Sequence, residues 1–570
     1  MFCVDKSILC RENMKKVFVL FICLVCLLVT TDTTEAKKVN DSTSKGKIVF
    51  IPHDNRPVSD EMAADTIRKL GYEVIVPPDD LLGNKDNMGN PENLWMWLEK
   101  NTTVKRSPSK LEQKRFHAGG KIWGLDPEIK AIVISADSMI YGSLVSSRKH
   151  DITERKLKER VANFADYKYR HDDAKLYVFS SVMRTPTSGE KSGSQEPEYY
   201  KAYGYDIFRY TALKDKADAK GLSSREKKEL EFLMELIPSA YLRDWDNRRG
   251  KNYRINEGLI DLAAKGKFEC LALGRDDNAA WSQTHMEARH LRDYTQKKSA
   301  EKVQNIAGID ELGLLLLTRA VNAIEKKQPV VTADYNWGSG KYLIPAYSDE
   351  PVDTTVRAQV QLLGGQYVDN GKNVDLLLMV NTNPTGANLG ANWYSNNKKI
   401  RPDVKTFVSY MERAINRGEP VGVADVSFVN GSDNSLMEEL RDKDMLYKLQ
   451  SYSGWNTPTN SIGYALAQGV LAKNMKKADK DELLTIRYLD DWLYQANIRQ
   501  MVSRQLSWFK EGGVYSELGS DKAQVELRAT SLMHTFAVDN LPASKSDFIK
   551  KIRVSCPWNR LFEAKISPEK

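Results

Sequence analysis

Cysteine is scarce in this chain: of six, four (Cys3, Cys10, Cys23 and Cys26) lie before residue 37, leaving only Cys270 and Cys556 in the body. Two thiols build no disulfide framework, and Cys270, inside the strand-like run FECLALG, reads as a buried, inert thiol. No arginine-rich run and no basic stripe with interleaved aromatics occurs, and a formal charge of +8 over 570 residues is mild, which excludes nucleic acid as a partner. The apolar run Val17 to Val29 has thirteen residues, short of the ~20 that span a bilayer. There is no GxSxG elbow, no phosphate-binding loop, no zinc spacing and no internal repeat. His53, His285 and His290 are too scattered to make a metal site, so neither a metal nor a cofactor is expected.

What is present begins with an export signature. Met14-Lys15-Lys16 is basic, the apolar run follows, and Thr34-Glu35-Ala36 ends on small residues, which predicts a secretory signal peptide over residues 1–36. Ile22 and Val25 stand where a lipidated Cys23 or Cys26 would need a small neighbour, so lipidation is not expected. The prefix carries four charges of each sign, and the mature chain keeps its +8. The expectation is a secreted or cell-envelope protein with no stable membrane insertion once the signal is removed.

After a polar linker, residues 37–46, short β-branched runs alternate with amphipathic segments. Strands are predicted at Ile48–Pro52, Glu73–Val76, Ala131–Ser135, Lys175–Ser180, Cys270–Gly274, Val303–Ala307, Val330–Thr332, Val374–Val380 and Pro420–Ala424. Several, such as AIVISA and VDLLLMV, are apolar throughout, as strands buried on both faces of a parallel sheet must be. The alternation means α/β, either a parallel (β/α) barrel-like body or a multi-strand parallel sheet, over residues 47–430. Residues 431–570 read as a mostly helical C-terminal region packing on that body.

The strands exit into HDNRP, PDD, ADSMIYG, SVMRT, GRDDNAAW, GIDE, ADYNW, NTNPTG and ADVSFVNGSD. Turn chemistry alone would scatter Asp, Asn and Arg over both strand ends. Here they gather at the C-terminal ends, where parallel α/β folds build their sites, so HDNRP is expected to be one wall of a cleft.

IPHDNRPVS, VISADSMIYGSLVSSR, VMRTP, LGRDDNAAWSQTHMEARHL, GIDELGLLLLTRA, ADVSFVNGSD and SGWNTPTNSIG run along almost the whole mature chain. Together they resemble the bacterial family named domain-of-unknown-function 4127. The first motif of that family reads PLDDRP; Asp54, Arg56 and Pro57 match it, whereas His53 and Asn55 depart from it. The resemblance implies positions and no reaction.

Among the candidates for chemistry, Asp276 and Asp277 follow one strand, and Asp310 and Glu311 follow the next. Adjacent carboxylates on extended backbone point apart, so one of Asp276 and Asp277 can serve the cleft while the other caps the helix starting near Ser282. Asp310 and Glu311 suit a helix start as well as an acid/base pair, with Glu311 expected as the proton donor. Asp54, Arg56, Asp137, Tyr141, Arg148, Arg184, Asn383, Asp425, Asn430, Asn456 and Asn460 are expected to bind substrate, with Trp337 and Trp455 as stacking faces, like Trp393. This set predicts a carbohydrate-active hydrolase, glycosidase-like, acting on a carbohydrate or cell-wall glycan through a carboxylate pair. The alternatives are a non-catalytic glycan-binding protein and a divalent-metal-dependent hydrolase.

Overall fold

In the computed structural model, which describes residues 44–108, 110, 113, 120–189, 194–506 and 517–568, every predicted strand forms, and the strands sort into two open parallel sheets. Among the described residues they do not close into a barrel. The signal peptide expected over residues 1–36 lies outside the described residues.

The first sheet uses β1 (Lys47–Ile51), β2 (Glu73–Ile75), β5 (Ile129–Ser135), β6 (Leu176–Val182), β7 (Cys270–Arg275) and β8 (Val303–Ala307). Beside it stands an antiparallel hairpin of β3 (Thr103–Arg106) and β4 (Ile122–Leu125). The spatial order is β2-β1-β5-β6-β7-β8, so the direction of winding reverses between β1 and β5. That reversal opens a crevice beyond the carboxyl ends of the two strands, and HDNRP leaves β1 there.

The second sheet, in the order β10-β9-β11-β12-β13, joins β9 (Val330–Tyr335), β10 (Gln366–Tyr367), β11 (Leu376–Thr382), β12 (Val421–Val426) and β13 (Ser451–Ser453). All residues of β6, β11 and β12 are buried, which their unbroken apolar runs require. Because β13 completes this sheet, the α/β body extends past residue 430, the boundary expected from the sequence. Residues 448–453, KLQSYS, lack the apolar signature that marks the other strands.

Two helices lie between the sheets. α1 (Leu312–Ile324) packs on β5 and β6, and α2 (Pro458–Ala472) packs on β11, β12 and β13. The two also pack on each other, and one apolar core runs through both sheets and both helices. A helix enclosed this way must be apolar all round. LGLLLLTRAVNAI and PTNSIGYALAQGVLA come close to that condition, with polar side chains such as Arg319, Asn322 and Asn460 hydrogen-bonded, and all of α2 is buried.

The C-terminal region is helical, with a π-helical stretch at Tyr488–Ile498, a long helix at Lys522–Asn540, and a hairpin of β14 (Ile552–Ser555) and β15 (Lys565–Pro568). It shares a second apolar core with β11 and β12. Among the described residues, no helix is long and apolar enough to cross a membrane.

Candidate active site at the junction of the two sheets

The exit of β1 is both a turn and a site. The backbone N–H of Arg56 donates to Asp54 Oδ1 at 3.1 Å, an Asx-type turn that folds the Arg56 side chain back over its own loop. Its guanidinium then grips two carboxylates. Nη2 donates to Asp54 Oδ2 at 2.7 Å and to Asp310 Oδ1 at 2.6 Å, while Nη1 reaches Asp310 Oδ2 at 3.2 Å. His53 Nε2 completes the knot, 3.1 Å from Asp310 Oδ1 and 3.1 Å from Ser59 Oγ. His53, Asp54, Arg56 and Asp310 are all buried. Burial raises the pKa of Asp310, but the Arg56 charge and the hydrogen bonds from His53 and Arg56 outweigh it and hold this carboxyl well below the usual carboxylate range.

β7 and β8 leave the sheet side by side, since Arg275 pairs with Ala307 and the Gly308 N–H donates to the Arg275 carbonyl at 2.9 Å. Their exits bring Asp276 and Asp277 next to the loop of Asp310 and Glu311. Neither aspartate caps a helix. Ser282 itself accepts from the His285 N–H and starts the following helix. Asp276 instead pairs with Arg148, and Asp277 pairs with Arg184 at 2.5 Å. Arg184 also grips Glu196 through Nε at 2.7 Å. Asp277 sits at φ +33°, so the backbone turns sharply between the two carboxylates and directs them to different arginines. Their side chains, 13% and 16% exposed, are the most open acids of the site. Burial, with the neighbouring Asp277 charge, pushes Asp276 up to about 6. Arg275 points elsewhere, to Asn305, Asp349 and Glu350.

The second sheet supplies the rest. The N-termini of α1 and α2 converge, so Asn456 Nδ2 reaches Asp310 Oδ2 at 3.2 Å and Asn460 Nδ2 reaches Glu311 Oε2 at 2.6 Å. Gln359 Nε2 donates to Glu311 Oε1 at 2.8 Å. Glu311 is 0% exposed, and its side chain makes no cap hydrogen bond to the helix it precedes. Burial, aided by the Asp310 and Asp276 charges, pushes it up to about 8 against the hydrogen bonds it accepts. Glu311, expected to be the proton donor, is thus enclosed in this structure, its carboxyl held by Gln359 and Asn460.

Two glycines create the room for it. A Cβ on Gly308, whose φ is +96°, would lie 1.9 Å from Glu311 Oε1, and one on Gly463 would lie 2.4 Å from Glu311 Cγ. Gly308→Ala is therefore expected to cost about 1–3 kcal/mol by overpacking and backbone strain, read as a lower denaturation midpoint in urea. An unchanged midpoint would show that this loop relaxes freely.

Of the remaining predicted residues, Asp137 follows β5 and accepts from the Ser181 N–H at 2.9 Å and the Ser181 hydroxyl at 2.8 Å. Burial pushes it up to about 6 against those hydrogen bonds, and His53 and Arg148 lie near enough to lower it, so it is buried close to both. Tyr141 is buried against the His150 ring, 4.9 Å away, and faces no opening. Trp455 is 2% exposed and belongs to the shared core, so it is a wall and not a stacking face. Trp337 is exposed, on the loop after β9.

Asp425 and Asn383 lie on the second sheet's side. Asp425 accepts from Asn381, the Asp433 backbone and Tyr452, and burial with the Asp433 charge pushes it up to about 7. Asn383 holds its own loop by accepting from Thr385 and donating to Ser427. Asn430 is linked to the site through Asn456, whose carbonyl accepts the Asn430 N–H at 2.8 Å.

Sequence reasoning missed the C-terminal contribution. Trp558 donates from Nε1 to Asn55 Oδ1 at 2.8 Å, and its ring lies 5.0 Å from the Arg56 guanidinium. Asn55, which departs from the family motif, is thereby a docking point for the chain terminus. Trp558→Phe keeps the ring and removes the hydrogen bond, so it is expected to cost about 1 kcal/mol in a urea titration. A loss of zero would mean that the ring contact alone holds the segment. Gln359 and Glu196 were missed as well, because each reads as an ordinary surface residue in its helix or loop.

The molecule is thus a two-sheet parallel α/β protein with a buried carboxylate and arginine site where the sheets' carboxyl ends meet. The chain belongs to the family described as protein of unknown function (DUF4127), whose model matches residues 48–107 and 125–567. No curated protein and no solved structure matches it. Among the described residues, no group of three or more His, Cys, Asp or Glu side chains is arranged to hold a metal ion.

Proposed function

We propose that this chain is an exported hydrolase whose site cleaves glycosidic bonds of a carbohydrate or cell-wall glycan. The observation that carries the reading is the split between two carboxylates on neighbouring strand exits. Asp276 is pushed up to about 6 at the open mouth, while Asp310 is held ionised by Arg56. A glycosidic bond needs these two states: an acid for the leaving oxygen and a fixed negative charge for the sugar's developing positive charge.

In this reading Asp276 gives its proton to the glycosidic oxygen as the bond to the anomeric carbon breaks. The Asp310 carboxylate faces the cationic centre. A water molecule then adds to that carbon and returns its proton to the Asp276 carboxylate, so one water is consumed and both residues are restored. Arg148 and Arg184 hold the two aspartates of the mouth apart and in place. Asp137 and Glu311 shape the floor without touching substrate. The N-terminal signal expected over residues 1–36 supports an extracytoplasmic setting.

The test is release of reducing ends from a panel of neutral oligosaccharides by the purified chain and by Asp276→Asn. Release by the wild type that the variant lacks supports the reading. Tight binding with no release from any member would make this a binding protein.

A further inference from the structure

Beyond the mouth, several of the chain's large exposed hydrophobic side chains lie on two loops at the carboxyl end of the second sheet. Trp337 and Tyr342 are on the loop after β9, and Trp393 and Tyr394 are on the loop after β11. Trp337 is 77% exposed and Tyr394 83%. Large rings so placed gain little from folding and keep most of their contact with water until something covers them.

The loops that carry them are built, not loose. Ser339 donates from its backbone to the Pro384 carbonyl at 3.2 Å and from its hydroxyl to the Asn383 carbonyl at 2.5 Å. A Cβ on Gly338 would lie 2.2 Å from the Pro384 oxygen, so the two loops touch backbone to backbone. Ala346 donates to Asn388 Oδ1 at 2.8 Å, a third tie. The Trp393 and Tyr394 rings stand 5.3 Å apart.

The first of these loops also runs to the mouth. Its far end gives the Tyr347 carbonyl to the Asn278 N–H at 3.0 Å, and its Asp349 and Glu350 hold Arg275 beside Asp276. The aromatic rim and the acidic mouth are therefore parts of one continuous structure.

We propose that these four rings form a platform for an extended glycan chain whose reacting sugar carries no negative charge. This inference rests on the hydrolase reading and names its substrate class. Flat rings among Asn, Gly and Ser suit the apolar faces and hydroxyl edges of sugars. The mouth has carboxylates in excess of arginines: Asp54 and Asp310 share Arg56, and Asp277 and Glu196 share Arg184. An acidic sugar at that position would meet repulsion. Such a platform lets binding energy gained far from the bond serve the reaction, which a single sugar in the mouth cannot supply.

The experiment uses the full chain carrying Asp276→Asn, to block turnover, and measures calorimetric binding of cellohexaose and chitohexaose, with an oligogalacturonate of equal length as the acidic probe. The same chain with Trp337→Ala, Tyr342→Ala, Trp393→Ala and Tyr394→Ala added is expected to lose on the order of tenfold or more in affinity for the neutral hexamer that binds. Its melting temperature should fall little, because three of the rings are more than three-quarters exposed and Trp393 is half-exposed. Equal affinity in the two chains, stronger binding of the acidic probe, or failure of both neutral hexamers to bind would overturn the platform. So would loss of binding to uncharged phosphatidylcholine vesicles in the fourfold variant, which would assign the rings to a lipid surface. A platform that binds while the wild type releases no reducing ends would keep the rings as a neutral-glycan surface and remove the hydrolase reading, and with it the reacting sugar. Turnover of a short aryl glycoside without hexamer binding would do the reverse.

Discussion

Arg56→Met is expected to destabilise the fold by about 3–5 kcal/mol, the cost of removing one partner from a buried ion pair. The magnitude follows from what the guanidinium neutralises. Asp54 is fully buried and Asp310 nearly so, and both have Arg56 as their cationic partner at 2.7 and 2.6 Å. Methionine fills a similar volume and leaves Asp54 and Asp310 buried beside each other without the cation they share. The pH dependence has a definite sign. In the wild type the Asp310 pKa is depressed, so its stabilisation is complete above the unfolded carboxylate value, near pH 4, and fades only as pH falls toward the much lower folded value. In the variant Asp310 loses the Arg56 charge that depresses its pKa while its burial still raises it, so the deficit should shrink as pH is lowered through 5. Urea titrations at pH 5 and pH 7.5 measure both effects. Equal midpoints for the two proteins at pH 7.5 would mean that Arg56 contributes nothing to holding the site together.

Asp276→Asn should leave the fold intact and reduce turnover by about two to four orders of magnitude, the usual contribution of a positioned acid. Stability is spared because the new amide oxygen still accepts from Arg148 and the side chain lies at the open mouth. Activity is not spared, because an amide has no proton to give. Glu311→Gln is the informative contrast. Glu311 reaches no opening, so its replacement is expected to alter stability through Gln359 and Asn460 more than the chemical step. Should Glu311→Gln abolish turnover in a fully folded protein while Asp276→Asn does not, the two roles would have to be exchanged.

The individual strands were legible in the sequence because each is a short apolar run followed by a polar exit, and that pattern depends only on local burial. Their sorting into two sheets was not. An apolar strand carries no mark of its lateral neighbour, and β8 and β9 look alike although a sheet boundary falls between them. The site was legible in the same partial way. Asp54, Arg56, Asp276, Asp277 and Asp310 stood out as charges at strand ends. Trp558 did not, since it lies 503 residues from the Asn55 it binds. Trp455 misled because Gly, Asn and Thr surround it in sequence just as they surround exposed aromatics, and only packing against the shared core buries it. The enclosure of Glu311 was hidden for a related reason: the glycines that let α2 close over it, Gly308 and Gly463, are each unremarkable in their own segments.

In the proposed mechanism Asp276 works as the protonated partner of an ionised Asp310. The most direct test of that pairing is kcat/KM against pH for a glycoside that the wild type turns over. With Asp276 titrating at about 6 and Asp310 far lower, kcat/KM should be flat between pH 4 and 5.5 and fall tenfold per unit above 6, a limb that Asp276→Asn removes along with most of the rate. A kcat/KM that instead rises with pH through 6 would show that Asp276 acts as a carboxylate, and would contradict the assignment.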